Sequence, residues 1–208
     1  MTKNKIVITS ALRTAVGSLG KSLKNTPAEI LGAEVISNVI KKSKLNVNNL
    51  DEVIMGQVLT GSAGQNPARQ AAMKSGVPKE KPAYIVNQVC GSGIRSIASG
   101  YQSIKAGDSK IVVAGGQESM SLAPHAIHLR DGKKLGDTDL IDTMIKDGLW
   151  DAFHGYHMGV TAENVAEKFQ VTREEQDKFA LNSQKKAIKA QKENKFKDEI
   201  INFKIKSK

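Results

Sequence analysis

The sequence predicts an α/β fold with a mostly parallel sheet over residues 1–117, followed by an irregular and then helical region over residues 118–208. Three observations carry this reading. Strand-length apolar runs alternate with helical periodicity up to about residue 117, the chain around Cys90 passes from extended alternation through a glycine turn into a helical run, and periodicity fades after Gly116. Strands separated by helices imply parallel pairing through right-handed crossovers.

Taken in order, residues 5–10 read as a first strand. Thr26-Pro27-Ala28-Glu29 is a helix start, with a capping threonine, proline at the first position and a glutamate reaching back. That helix runs to about Lys42 with Ile30, Ile36, Val39 and Ile40 as apolar positions. A second strand lies near residues 51–55, and a second helix follows Gly64 through Ala68, Ala71 and Ala72 to Gly76. The third strand ends at Cys90, and the third helix uses Ile94, Ile97, Ala98, Tyr101 and Ile104 before stopping near Ala106. The fourth strand, residues 110–114, carries no inward charge or proline to blunt a sheet edge. Residues 119–159 show only a short turn near 140–145, and so long an irregular stretch is functional or a binding extension. Helices are expected over residues 161–169 and 172–195. The second opens on the capping box Thr172-Arg-Glu-Glu175 and offers Phe179, Ala180, Ser183, Ala187 and Ala190 to a packing face.

Cys90 is the only cysteine. It falls at the carboxyl end of a strand, where ligands of parallel α/β sheets bind. Gly91-Ser-Gly93 then turns the chain into a helix whose unpaired N–H groups and positive dipole end favour a thiolate, the nucleophilic form. The plain alternative is a small buried apolar residue. The small residues after Cys90 let a ligand approach the backbone, which a structural cysteine does not need.

Charge and composition narrow the classes. One cysteine excludes an internal disulfide framework and suits a reduced, soluble, cytoplasmic protein. The basic lead-in Met1-Thr-Lys-Asn has too short an apolar run after it for a signal peptide, and no segment approaches the ~20 apolar residues of a membrane span. Of the net charge of +10, residues 185–208 supply nine lysines against Glu193, Asp198 and Glu199. This is a solvated lysine-rich face or a steering surface for an anion. With three tyrosines, one tryptophan and no stacking motif, nucleic-acid binding is not expected. His125/His128 and His154/His157 share a three-residue spacing but lack a third ligand set, so no metal is expected.

Six blocks together resemble one family. Asn87-Gln-Val-Cys90-Gly-Ser-Gly-Ile is similar to the acyl-enzyme cysteine motif of the thiolases. Arg13-Thr-Ala-Val-Gly17 and the long block Met55-Gly-Gln-Val-Leu-Thr-Gly-Ser-Ala-Gly-Gln-Asn-Pro-Ala-Arg-Gln70 precede it in family order. Gly115-Gly-Gln-Glu-Ser-Met-Ser121, His157-Met-Gly-Val-Thr-Ala-Glu-Asn-Val165 and Arg173-Glu-Glu-Gln-Asp177 follow. The nearest branch is that of the biosynthetic acetyl-CoA acetyltransferases.

The resemblance implies a thiolase-like βαβαβ half, its sheet incomplete over residues 1–117, with part of an inserted loop domain over residues 118–208. It implies Cys90 as the catalytic nucleophile, Gly91, Asn66 and Glu118 as oxyanion or loop support, and His157 and Met158 as substrate-binding residues. For His157 an ordinary place in a loop at a subunit contact stays open. The implied reaction converts two acetyl-CoA into acetoacetyl-CoA and coenzyme A, reversibly, in fatty-acid or ketone-body metabolism. The implied partners are these thioesters, with no other cofactor, in a homodimer or homotetramer. Thiolases run to about double this length, and the family's catalytic histidine, second cysteine and remaining oxyanion groups match nothing here. The expectation is half an active site that does not turn over alone. The alternatives are an inactive assembly or binding subunit and one half of a split enzyme.

Overall fold

Three short parallel strands organise the first part of the chain. In the computed structural model residues 5–205 are described, so Met1-Thr-Lys-Asn and the last lysines, Lys206 and Lys208, lie outside the description. The chain divides into a first unit, residues 5–148 with 201–205, and a second, Leu149–Ile200.

In the first unit the order is α1 (Ala28–Lys42), β1 (Glu52–Gly56), α2 (Pro67–Lys74), β2 (Ala83–Val86), α3 (Ser92–Ala106) and β3 (Val112–Gly116). The sheet order is β2-β1-β3, all parallel, with Gly56 in register with Val86 on one side and Gly116 on the other. A central parallel strand is covered on both faces, and Val53, Ile54 and Met55 are accordingly all buried. On one face Val53 and Met55 pack with Ala33 and Ile36 of α1 and with Ala68, Ala71 and Ala72 of α2. α3 approaches the sheet through small residues: Ser92, Ser96 and Gly100 are buried, and a Cβ at Gly100 would lie 3.0 Å from Val112 Cγ1.

Several sequence expectations need correction. Residues 5–10 form no strand, and Val7 and Ile8 stay 68% and 78% exposed. Alternation is not sufficient for a strand, because a strand is made by its ladder, and residues 5–10 join neither edge of the β2-β1-β3 sheet. The start of α1 is one residue off: Pro27 occupies the cap position and no side chain caps it. β2 ends at Val86 rather than Cys90, because its partner β1 ends at Gly56, opposite Val86. β3 begins at Val112 because the Asp51 carboxylate takes the N–H groups of Lys110 (2.6 Å) and Ile111 (2.9 Å) before the ladder starts. The expected apolar face of α3 is turned outward in part, with Ile94 75%, Ile97 43% and Tyr101 52% exposed.

Beyond β3 come a 3-10 turn at Met120–Leu122, a two-residue antiparallel ladder of β4 (His125–Ala126) with β5 (Ile141–Asp142), and α4 (Thr143–Gly148). The second unit holds α5 (Met158–Phe169) and α6 (Arg173–Lys192). α5 begins three residues before the expected 161, because the His157 ring caps it, its Nδ1 accepting the Gly159 N–H at 3.0 Å. The capping box at Thr172 and Glu175 forms as expected. The expected packing face of α6 does not: no residue of the helix is buried, and Phe179 is 78% exposed.

Candidate active site

At the carboxyl ends of β1 and β3 the backbone comes unusually close to the start of α3. A Cβ at Gly56 would lie 2.4 Å from the Ser92 carbonyl carbon and 2.6 Å from the Gly93 nitrogen, so only glycine fits there. Beside this contact the chain leaves β2 and makes the turn that carries Cys90. Val89 has φ +49°, a left-handed conformation that β-branched residues rarely adopt. Local hydrogen bonds enforce it. Asn87 Oδ1 accepts the Val89 N–H at 2.9 Å, and Gly91 N–H donates to the Gln88 carbonyl at 3.0 Å. The Ser92 hydroxyl donates to the Val89 carbonyl at 2.6 Å and accepts the Gln88 N–H at 2.9 Å. Strain held by surrounding structure is a mark of functional sites.

Cys90 is therefore exposed on a constrained turn, one residue outside the Gly91 cap of α3. It lines a cleft of about 340 Å³ together with Gly56, Gln57, Val58, Val89, Ser92, Gly93, Gly116, Gln117 and Glu118. Glu118 is the one carboxylate of that lining. Its Oε2 accepts the Val58 N–H at 2.8 Å and its Oε1 the Leu59 N–H at 3.2 Å. Burial pushes its carboxyl above the usual glutamate range, against the downward pull of the Val58, Leu59 and Ser119 N–H groups.

The structure thus brings Cys90 and Glu118 into one cleft, with Gly91 adjacent to the thiol. Asn66 does not line it. With φ +42° it caps α2, its Oδ1 accepting the Arg69 N–H at 3.1 Å and its Nδ2 donating to the Ala83 carbonyl at 2.9 Å, so it ties α2 to β2. His157 and Met158 belong to the second unit, where His157 caps α5 and Met158 opens it. Because His157 Nδ1 accepts a hydrogen bond, the neutral ring carries its proton on Nε2. In the same unit His154 Nδ1 meets Asp151 Oδ2 at 2.9 Å. Sequence reasoning missed Asn87, Val89, Ser92, Gln57 and Gln117. The signal for Gln57 and Gln117 was available, since each is a polar residue directly after a strand-ending glycine.

A thiol on a strained turn at the carboxyl edge of a parallel sheet is an arrangement that can present a nucleophile in an α/β protein. The chain belongs to the thiolase family: residues 6–208 match the model of the thiolase N-terminal domain. It is 59% identical over all its 208 residues to an acetyl-CoA acetyltransferase of Rhizobium meliloti, covering 53% of that protein. It is 50% identical over 198 residues to a probable acetyl-CoA acyltransferase of Staphylococcus aureus, covering 50% of it. The crystal structure of the Bacillus anthracis acetyl-CoA acetyltransferase superimposes with a TM-score of 0.94 at 37% identity, over 97% of this chain and 51% of that one. The chain spans about half the length of the curated relatives it matches.

Proposed function

We propose that Cys90 is the acyl-accepting nucleophile of an acetyl-CoA C-acetyltransferase reaction. The observation that carries this reading is the exposed place of Cys90 on its constrained turn, beside the cleft at the strand ends, in a chain of the thiolase family. The Cys90 thiol gives up its proton, the thiolate attacks the thioester carbonyl of acetyl-CoA, the bond from that carbon to the coenzyme A sulfur breaks, and the departing coenzyme A thiolate takes up the proton lost by Cys90. A second acetyl-CoA then loses an α-proton, and its carbanion attacks the acetyl-cysteine to give acetoacetyl-CoA and free Cys90. The Cys90 N–H is one oxyanion donor, with Gly91 and Glu118 as support of the loop and Asn66 acting only at a distance, by tying α2 to β2, the strand that leads into the turn. No cofactor beyond the coenzyme A thioester enters, and the proposed assembly is a homodimer or homotetramer.

Cys90 is the chain's one cysteine, and none of its four histidines lies in the first 124 residues that carry the cleft. We therefore infer acyl acceptance without the carbon–carbon bond-forming turnover, since groups that act as a unit lose most of the rate together. The test is intact-mass analysis after incubation with acetyl-CoA at mildly alkaline pH. One acetyl group on Cys90, absent in Cys90→Ser, is expected, with no thiolytic cleavage of acetoacetyl-CoA. Cleavage above background by the purified 208-residue chain overturns the half-reaction reading, and acetylation that survives Cys90→Ser overturns the nucleophile. The outward apolar row Ile94, Ile97 and Tyr101 favours a second reading, an assembly subunit. A stable oligomer whose Cys90 is never acetylated would select it.

A further inference from the structure

Gln57 and Gln117 follow β1 and β3 directly, one residue past the register-paired Gly56 and Gly116. Both are buried, at 2% and 7% exposure. Buried primary amides cost free energy unless they are hydrogen-bonded, and here the bonds form a directed chain. Gln117 Nε2 donates to Gln57 Oε1 at 2.9 Å, and Gln57 Nε2 donates to the Leu59 carbonyl at 2.9 Å. The Leu59 carbonyl can only accept, so it sets which end of the Gln57 amide faces it, and Gln57 in turn sets Gln117. The far end, Gln117 Oε1, is buried without a hydrogen-bond partner. It faces Gly32 of α1 so closely that a Cβ there would lie 1.9 Å away.

The near end of this chain is a wall of the Cys90 cleft. Glu118 holds the Val58 and Leu59 N–H groups while Gln57 holds the Leu59 carbonyl. The Val58 carbonyl accepts from Asn87 Nδ2 at 3.5 Å, and Asn87 Oδ1 restrains the left-handed Val89 next to Cys90. An amide pair kept in a core with one acceptor unsatisfied needs a reason beyond packing, because two apolar side chains of the same shape would fill the space as well.

We propose that Gln57 and Gln117 are positioning residues for Cys90, a buried amide chain from Gly32 to Leu59 that holds the wall segment 57–59 and, through Asn87, the turn that presents the thiol. The inference rests on Cys90 being the reacting group. Two variants of the full chain test it, Gln117→Met and the double Gln57→Met/Gln117→Met. Three quantities are read: the thermal midpoint, amide hydrogen exchange at Leu59 and Val89, and the rate of Cys90 alkylation by iodoacetamide.

Gln117→Met strands Gln57 Oε1 and lowers the midpoint, whereas the double variant removes both buried polar groups and recovers most of it. A positioning role requires that the double variant, though stable, still exchanges about fivefold faster at Leu59 and Val89 and alkylates about fivefold more slowly than wild type. Exchange or alkylation at the wild-type value in the stable double variant overturns the proposal. The reading of Cys90 itself is checked separately. If the wild-type thiol alkylates no faster when folded than in urea, Cys90 is not a presented nucleophile, and the inference falls with it.

Discussion

The β1-centred unit and the α5–α6 unit reach order by different routes. In the first, Ile36, Leu50, Val53, Met55, Ala71 and Val113 come together from two helices, two strands and a loop into one buried cluster. In the second, α6 buries nothing along its 20 residues. It rests on local devices: the Thr172–Glu175 capping box, the Arg173–Asp177 pair at 2.9 Å and the Lys189–Glu193 pair at 3.7 Å. Each i,i+4 pair is worth only about 0.2–0.5 kcal/mol. Local signals suffice to define a helix. The Cys90 turn combines such local bonds, from Asn87 and Ser92, with a contact from Gly56 on a neighbouring strand that α6 has no counterpart of.

The comparison breaks if the first unit tolerates small changes at its contacts. The largest effect is expected from Gly56→Ala, whose added methyl meets the backbone of α3 rather than a yielding side chain. A loss of about 3 kcal/mol or more is expected in urea unfolding, with loss of cooperative folding as the extreme. Next comes Ile36→Ala at a site 1% exposed, with an expected loss of about 2–4 kcal/mol. The matched change Phe179→Ala, at 78% exposure on α6, is expected to stay within about 0.5 kcal/mol of wild type. Similar losses at Ile36 and Phe179 would erase the contrast between the two units.

A third test uses pH. The Ile111 and Lys110 N–H groups hold the Asp51 carboxyl below its ordinary value of 3.8. A depressed carboxyl stabilises the fold above its unfolded value, and that contribution is lost as pH falls through the folded value. Asp51→Asn should therefore lower the midpoint at neutral pH by less than Ile36→Ala does, and should flatten the decline of stability below about pH 4. An unchanged acid limb in the variant would mean that the Asp51 bonds do not matter to the start of β3. The smallest effect is assigned to Thr172→Ala. It removes the capping box and should raise amide exchange in the first turn of α6 by about fivefold, with the midpoint of the first unit unmoved.

Much of the architecture was legible in the residues. The order of helices and strands from α1 to β3 follows from apolar periodicity and from glycine and proline punctuation, and the Thr172 capping box from three residues of local chemistry. The candidate nucleophile was legible as a lone cysteine between a strand and a glycine turn. The misreadings share a cause. Residues 5–10 alternate like a strand but join no ladder, the apolar stripe of α3 turns partly outward while Ser96 and Gly100 pack inward, and Phe179 sits exposed on a helix drawn as half-buried. In each case a local pattern permits burial or pairing without supplying the partner.

By itself, then, the sequence determined the parallel α/β class, the helix ends made by local caps, and the chemical identity of Cys90, because these depend on residues within a few positions of one another. Tertiary structure alone decided that β1 is central, that Glu118 closes over Val58 and Leu59 some 60 positions away in the chain, and that the start of α3 packs against the Gly56 backbone. Those features arise from contacts between segments distant in sequence. Their free energy exists only once the sheet and α3 are packed together, so no stretch of residues read alone contains it.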